Sequence, residues 1–143
     1  MTEKRINLLN DWFEEVWNKG RVEAIDELAA PDFVAHGLVD AHGNDIAGRE
    51  PFKIFWQQFR SAFPDVHVVL EDGLVEGDKV MVRCTVGGTH KGEGMGLAPT
   101  QKPMTFTGMC MARTKNGQLV EAWNSFDFLT LYQQLGVVPA LLS

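Results

Sequence analysis

The residues best placed to do chemistry lie in Glu121–Gly136, EAWNSFDFLTLYQQLG. Its first half reads as a strand. Alternation sends Glu121, Trp123, Ser125 and Asp127 to one face and Ala122, Asn124 and Phe126 to the other. Its second half reads as a short helix, with Phe128, Leu131, Tyr132 and Leu135 at helical spacing. Asp127 is therefore an acid at the end of a strand, on the face of Trp123, with Phe126 and Phe128 as sequence neighbours. A carboxylate dehydrated by such neighbours has its pKa raised toward the range of a general base or acid. The same position, just ahead of an apolar helical run, suits an N-cap.

Four histidines are present. His36 ends the short strand Phe33-Val34-Ala35-His36, and His90 ends a long strand before a glycine-rich loop. Each could present a donor to a pocket or stand at the surface. His42 and His67 read as exposed or framework. No HxH or HExxH spacing occurs, so no metal site is expected. No serine stands in GxSxG, and the glycines of Lys91–Gly96 lack the strand–helix setting of a phosphate loop. Cys84 and Cys110 fall on apolar strand faces, where thiols are inert. Carboxylate–imidazole chemistry without a cofactor remains. It suits removal of a proton next to a carbonyl, with donors stabilising the enolate.

Helices must come first to position these groups. Ile6, Leu9, Phe13, Val16 and Trp17 form one stripe, ended by Gly20. Val22–Ala29 gives a second, short helix before Pro31. Gly37–Gly48 is turn-rich and reads as a loop. A third helix holds Pro51 in its first turn and the aromatic stripe Phe52, Phe55, Trp56, Phe59 and Phe63, and it closes at Pro64. From Val66 the period changes to two. Val80, Val82, Cys84 and Val86 alternate with Met81, Arg83 and Thr85, and Phe106, Gly108, Cys110 and Ala112 with Thr105, Thr107, Met109 and Met111. Gly87–Thr100 reads as a strand end running into a mobile loop. Asn116-Gly117 signals a hairpin into the last strand. The order predicts an α+β fold, with helices packed on one face of a twisted sheet that bends at Gly73 and Gly108.

The 143 residues form one expected domain, 1–143. A net charge of −6 argues against nucleic acid and anionic membranes as partners. No apolar run nears the ~20 residues of a membrane span, and the N-terminus is no signal peptide. Two distant cysteines fit reduced thiols and a cytoplasmic location. Nine Phe and four Trp against one Tyr suggest a large apolar interior with room for a ligand.

The sequence resembles the SnoaL-like polyketide cyclase family of the nuclear transport factor 2-like superfamily. The matching segments are FVAHG (Phe33–Gly37), SAFPDVHVVLEDGLVEGDKVMVRCTVGGTHKGE (Ser61–Glu93), APT (Ala98–Thr100) and EAWNSFDFLTLYQQLG. The resemblance implies a cone-shaped, curved antiparallel sheet covered by N-terminal helices, around a deep apolar pocket. It implies cofactor-free intramolecular aldol closure of a polyketide-like compound. Asp127 would be the acid/base group, with His36 and His90 as donors to a carbonyl or enolate oxygen. Phe33, Phe55, Phe59 and Trp123 would be walls, with Arg83 a further inward-pointing residue. The lone Tyr132 departs from the tyrosine-plus-acid pair of ketosteroid isomerase-like relatives. A second reading is epoxide or ester hydrolysis, with Arg83 and Asp127 activating water. A third is a binding or dimerisation module, with Met81, Met109 and Met111 as an oligomer surface. All three predict a homodimer or homotetramer built through the sheet.

Overall fold

Strands of alternating burial dominate the chain from His67 to Phe126, and they set the architecture. The computed structural model describes residues 2–39 and 42–139. Helix α1 (Thr2–Asp11) runs on as a π-helical segment, Trp12–Asn18, and α2 (Glu23–Leu28) follows. Strands β1 (Ala29–Val39) and β2 (Asp45–Ala47) precede α3 (Arg49–Ala62). Then come β3 (His67–Glu76), β4 (Lys79–Thr89), β5 (Pro103–Lys115), β6 (Gln118–Phe126) and α4 (Phe128–Leu135). The six strands form one curved sheet in the order β2-β1-β6-β5-β4-β3, antiparallel throughout except for the parallel pair β1–β6. This is the α+β arrangement read from the sequence. β1 is longer than the short strand expected, and β2 lies within the segment read as loop.

The inner sheet face is apolar and carries the helices. Val80, Val82, Cys84 and Val86 of β4 and Met104, Phe106, Cys110 and Ala112 of β5 are buried there. Met81, Arg83, Thr107 and Met109 point the other way and are exposed. The π-helical segment has a wider turn than an α-helix, and it buries Trp12, Phe13, Val16 and Trp17 together. Its carbonyls find partners outside it. Trp56 of α3 donates to Val16 O at 2.8 Å, and Arg60 donates to Trp17 O. Asn18 ties the segment's end to β3, donating to Val68 O at 2.9 Å and accepting from Val68 N at 2.6 Å.

Bulges decide which side chains face inward. In the β5–β6 hairpin, Lys115 pairs with Gln118 and Thr114 with Leu119, but Arg113 pairs with Glu121. Val120 is the extra residue, and it reverses the alternation of β6 relative to the turn. Leu119, Ala122, Asn124 and Phe126 consequently face the interior. On β1 the inward residues are Phe33, Ala35 and then Leu38, because the ladder slips around Gly37. Gly37 has φ +82°, and a Cβ there would lie 1.8 Å from the backbone oxygen of Asn124. Gly108 makes room for a ring. It pairs with Phe126, and a Cβ on it would stand 2.2 Å from the Phe126 ring.

The segment from His90 to Lys102 is tied down rather than loose. His90 N donates to Lys102 O and Gln101 N to His90 O, at 2.9 and 2.8 Å. Gly92 and Gly94 press against the backbone of α3, where a Cβ would come within 1.9 Å of Ser61 O and 2.2 Å of Gln58 O.

Candidate functional site

A partly open, apolar cavity lies between the helices and the inner sheet face. Trp12, Phe13 and Trp17 of the π-helical segment form one wall, and Phe52, Phe55 and Phe59 of α3 form a second. Phe33, Ala35 and Leu38 of β1 and Phe106, Phe126 and Phe128 close the far side. The rings pack on one another at centroid distances between 5.3 and 6.3 Å, as for Trp12 with Phe52 and Phe55 with Phe59. Among the described residues, the lining holds no carboxylate, imidazole, ammonium or guanidinium group. Its lining residues with a polar side-chain group are Trp12, Trp17, Cys110 and Asn124.

Asn124 stands directly opposite Cys110 across the β5–β6 ladder. Its Nδ2 donates to the carbonyl oxygen of His36 on β1 at 3.0 Å. That bond fixes the amide's orientation and leaves Oδ1 and one N–H for a guest. Burial pushes the Cys110 thiol up to about 12, so the group is a neutral thiol at physiological pH. Cys84, behind it on β4, is pushed up to about 11 by the same cause.

Of the residues expected at the site, Phe33, Phe55 and Phe59 line the cavity. Five others do not. Asp127 is an exposed cap. Its carboxylate accepts from Thr130 N at 3.0 Å and from Thr130 Oγ1 at 2.6 Å. Those bonds hold it below the usual carboxylate range, which overturns the raised pKa expected from its aromatic neighbours. The ring of Phe126 points into the cavity and that of Phe128 closes it from α4, while the acid between them turns outward.

Trp123 belongs to the outer face, because Val120 reverses the register; its ring stacks on His36 at 5.6 Å with 21° between planes. His36 shares that face. Its Nδ1 bonds Asp45 and its Nε2 bonds Glu121, each at 2.6 Å. The Glu121 and Asp45 carboxylates raise the His36 pKa, and His36 with Arg113 holds Glu121 low. Arg83 also points outward, opposite the valines of β4, so it and Asp127 do not meet as a hydrolytic pair. His90 is wholly buried, but behind Phe63 rather than in the cavity wall, at 5.3 Å between ring centroids. Its Nδ1 accepts from Thr100 N at 3.2 Å and lies 3.0 Å from Thr100 Oγ1, so the imidazole braces the loop that follows.

Asn124 is the polar residue that sequence reading passed over. Its face was legible: alternation groups it with Ala122 and Phe126. Among the described residues, no three His, Cys, Asp or Glu side chains come together as a metal site would require. No described helix is long and apolar enough to cross a membrane.

Helices packed into one face of a curved six-stranded sheet, around an aromatic cavity, define the nuclear transport factor 2-like cone. Within it, the chain belongs to the SnoaL-like polyketide cyclase family, whose model matches residues 7–135. It is 24% identical over 123 residues to aklanonic acid methyl ester cyclase AcmA of Streptomyces galilaeus, covering 85% of this chain and 84% of that one. The crystal structure of IdmH, a candidate polyketide cyclase from Streptomyces antibioticus, superposes with a TM-score of 0.80 at 35% identity, over 93% of this chain and 99% of IdmH. The structure of AclR, a candidate hydroxylase from Streptomyces galilaeus, superposes with a TM-score of 0.83 at 26% identity, over 98% of this chain and 89% of AclR. Shared architecture therefore carries more than one named chemistry.

Proposed function

We propose that the cavity receives a neutral, largely apolar carbonyl compound of polyketide type and favours its intramolecular, aldol-type ring closure, with Asn124 as the polar contact. The observation that carries this reading is the Asn124 amide, the one side-chain amide among the described residues of a lining otherwise made of rings, aliphatic groups and the Cys110 thiol. An apolar enclosure holds a flexible guest in a folded shape, so the reacting carbons meet without a further entropy loss. The guest's enol carbon attacks the second carbonyl carbon. The C–C bond forms as that carbonyl's π bond breaks, the enol O–H proton passes to water, and water returns a proton to the new alkoxide. The N–H of Asn124 not used by His36 donates to the oxygen on which negative charge develops. The family and the likeness to AcmA support the reaction class; the described lining, which holds no carboxylate or imidazole and whose Cys110 thiol stays neutral, supports confinement and polarisation over a base inside the cavity.

The test is turnover of aklanonic acid methyl ester, the compound in AcmA's name. Asn124→Leu should lower it at least tenfold, equivalent to about 1.4 kcal/mol of transition-state stabilisation. Asp127→Asn should leave it unchanged. The reverse pattern would restore Asp127 as the acid/base group and overturn this reading. The uncharged lining equally favours a second reading, a binding module that holds its guest without reacting. Quenching of Trp12 and Trp17 fluorescence by the ester, with no product formed, would select it. We propose also that two or more copies associate through the outer sheet face.

A further inference from the structure

We propose that His36, from the outer face of the sheet, is the positioning residue for Asn124. Its ring bridges Asp45 and Glu121, and this bridge sets the peptide whose carbonyl orients the Asn124 amide in the cavity. The inference rests on the reading of Asn124 as the polar contact for the guest.

Three observations converge on it. The first is that the His36 ring is held on every side. Carboxylate oxygens from β2 and β6 sit 2.6 Å from its two nitrogens, and a carboxylate accepts without donating, so both nitrogens carry protons. Arg113 of β5 steadies Glu121 at 3.3 Å, and the Trp123 ring lies flat against the imidazole. The second is that the backbone here needs a clamp. The β1–β2 ladder slips between Ala35 and Val39, and Gly37 leaves regular strand geometry with φ +82°. The carbonyl of His36 stands at the edge of that irregular stretch. The third is that this carbonyl is the acceptor for Asn124 Nδ2 at 3.0 Å. The bridge and the amide are thus opposite faces of one peptide unit. When the ring loses a proton, one of its two carboxylates loses its donor, the anchorage to β2 or β6 loosens, and the amide on the inner face is released to rotate.

The experiment needs no guest, so its failure is separate from failure of the function proposed above. The charged groups facing the ring are Asp45, Glu121 and, through Glu121, Arg113. In the isotopically labelled full chain, the Asn124 side-chain amide signals are followed by NMR while pH rises from 5 to 9. They should shift with the same midpoint as the His36 ring signals. The Asn18 side-chain amide, bonded to β3 on the other side of the molecule, should stay fixed. His36→Phe keeps a ring against Trp123 and drops both bridges; it should abolish the Asn124 shift. Asp45→Asn, which removes one carboxylate, should lower the shared midpoint, and it decides the matter if the phenylalanine variant does not fold. Asn124 signals that hold constant while His36 titrates would overturn the proposal and leave His36 a merely structural clamp.

Discussion

Asp127 shows how far a single residue can be read from its neighbours. Two signals overlapped there. Phe126 and Phe128 suggested a dehydrated acid, and the position just ahead of an apolar helical run suggested a cap. The cap wins because hydrogen bonds to Thr130 N and Oγ1 stabilise the charged form directly, whereas neighbouring rings dehydrate an acid only when they surround it. The sign of the pH effect follows. The carboxylate is held below its ordinary value in the folded state, so its contribution is present above the ordinary carboxylate range and is lost as pH falls through the lowered value. Asparagine caps as well as aspartate does but does not titrate. Thermal melts of Asp127→Asn should match the parent at neutral pH and lose less stability on acidification, while Asp127→Ala should melt lower at neutral pH. A parent and asparagine variant that decline in parallel with acid would show that the carboxylate's charge does not matter to the cap.

Strands are legible to a point that β6 marks clearly. Alternation sorted its residues correctly into two sets, Glu121, Trp123, Ser125 and Ala122, Asn124, Phe126. Choosing the inward set by hydrophobicity favours Trp123, and a plain two-residue turn at Asn116-Gly117 would place Trp123 on the face of Cys110 and Ala112. The extra residue Val120 reverses that assignment. One bulge thus moves Trp123 to the outside and brings Asn124 in, whereas His36 faces out by the alternation of β1 with buried Phe33 and Ala35. No composition signal distinguishes Val120 from its neighbours, so the reversal was beyond the sequence. The aromatic stripe of α3 had no such ambiguity, since a helix face follows from spacing alone, and Phe55 and Phe59 line the cavity. The β1 irregularity lends itself to a direct test. Gly37→Ala places a Cβ against a backbone oxygen at positive φ, so neither strain nor clash is relieved by moving a side chain. Its cost should exceed ~1 kcal/mol, measured by denaturant unfolding with an unchanged m-value. A neutral result would mean that β1 shifts freely against β6.

The whole molecule presents two faces of unlike character, and the outer one predicts an assembly. Register aligns Leu74, Met81, Met111, Trp123 and His36 in a row across five strands. Leu74 is 71% exposed, and Met81 and Met109 are 39% and 46% exposed. Helices cover the inner face, whereas this row meets solvent along much of its length. Unbranched methionines adapt to a partner surface at little packing cost, and an apolar band flanked by charged residues such as Arg83, Arg113 and Glu121 has the layout of an interface core with its rim. A self-complementary contact between two such faces needs about 800 Å² from each copy. Sedimentation at micromolar concentration should therefore report at least twice the 16.0 kDa chain mass. Met109→Lys, which places an ammonium within that face and touches no cavity residue, should shift the chain to monomer while leaving its melting at low concentration unchanged. A parent that sediments as a monomer would refute assembly through this face. A variant that keeps the parent's mass would show that the copies join elsewhere, and the methionine row would then be an ordinary solvated surface.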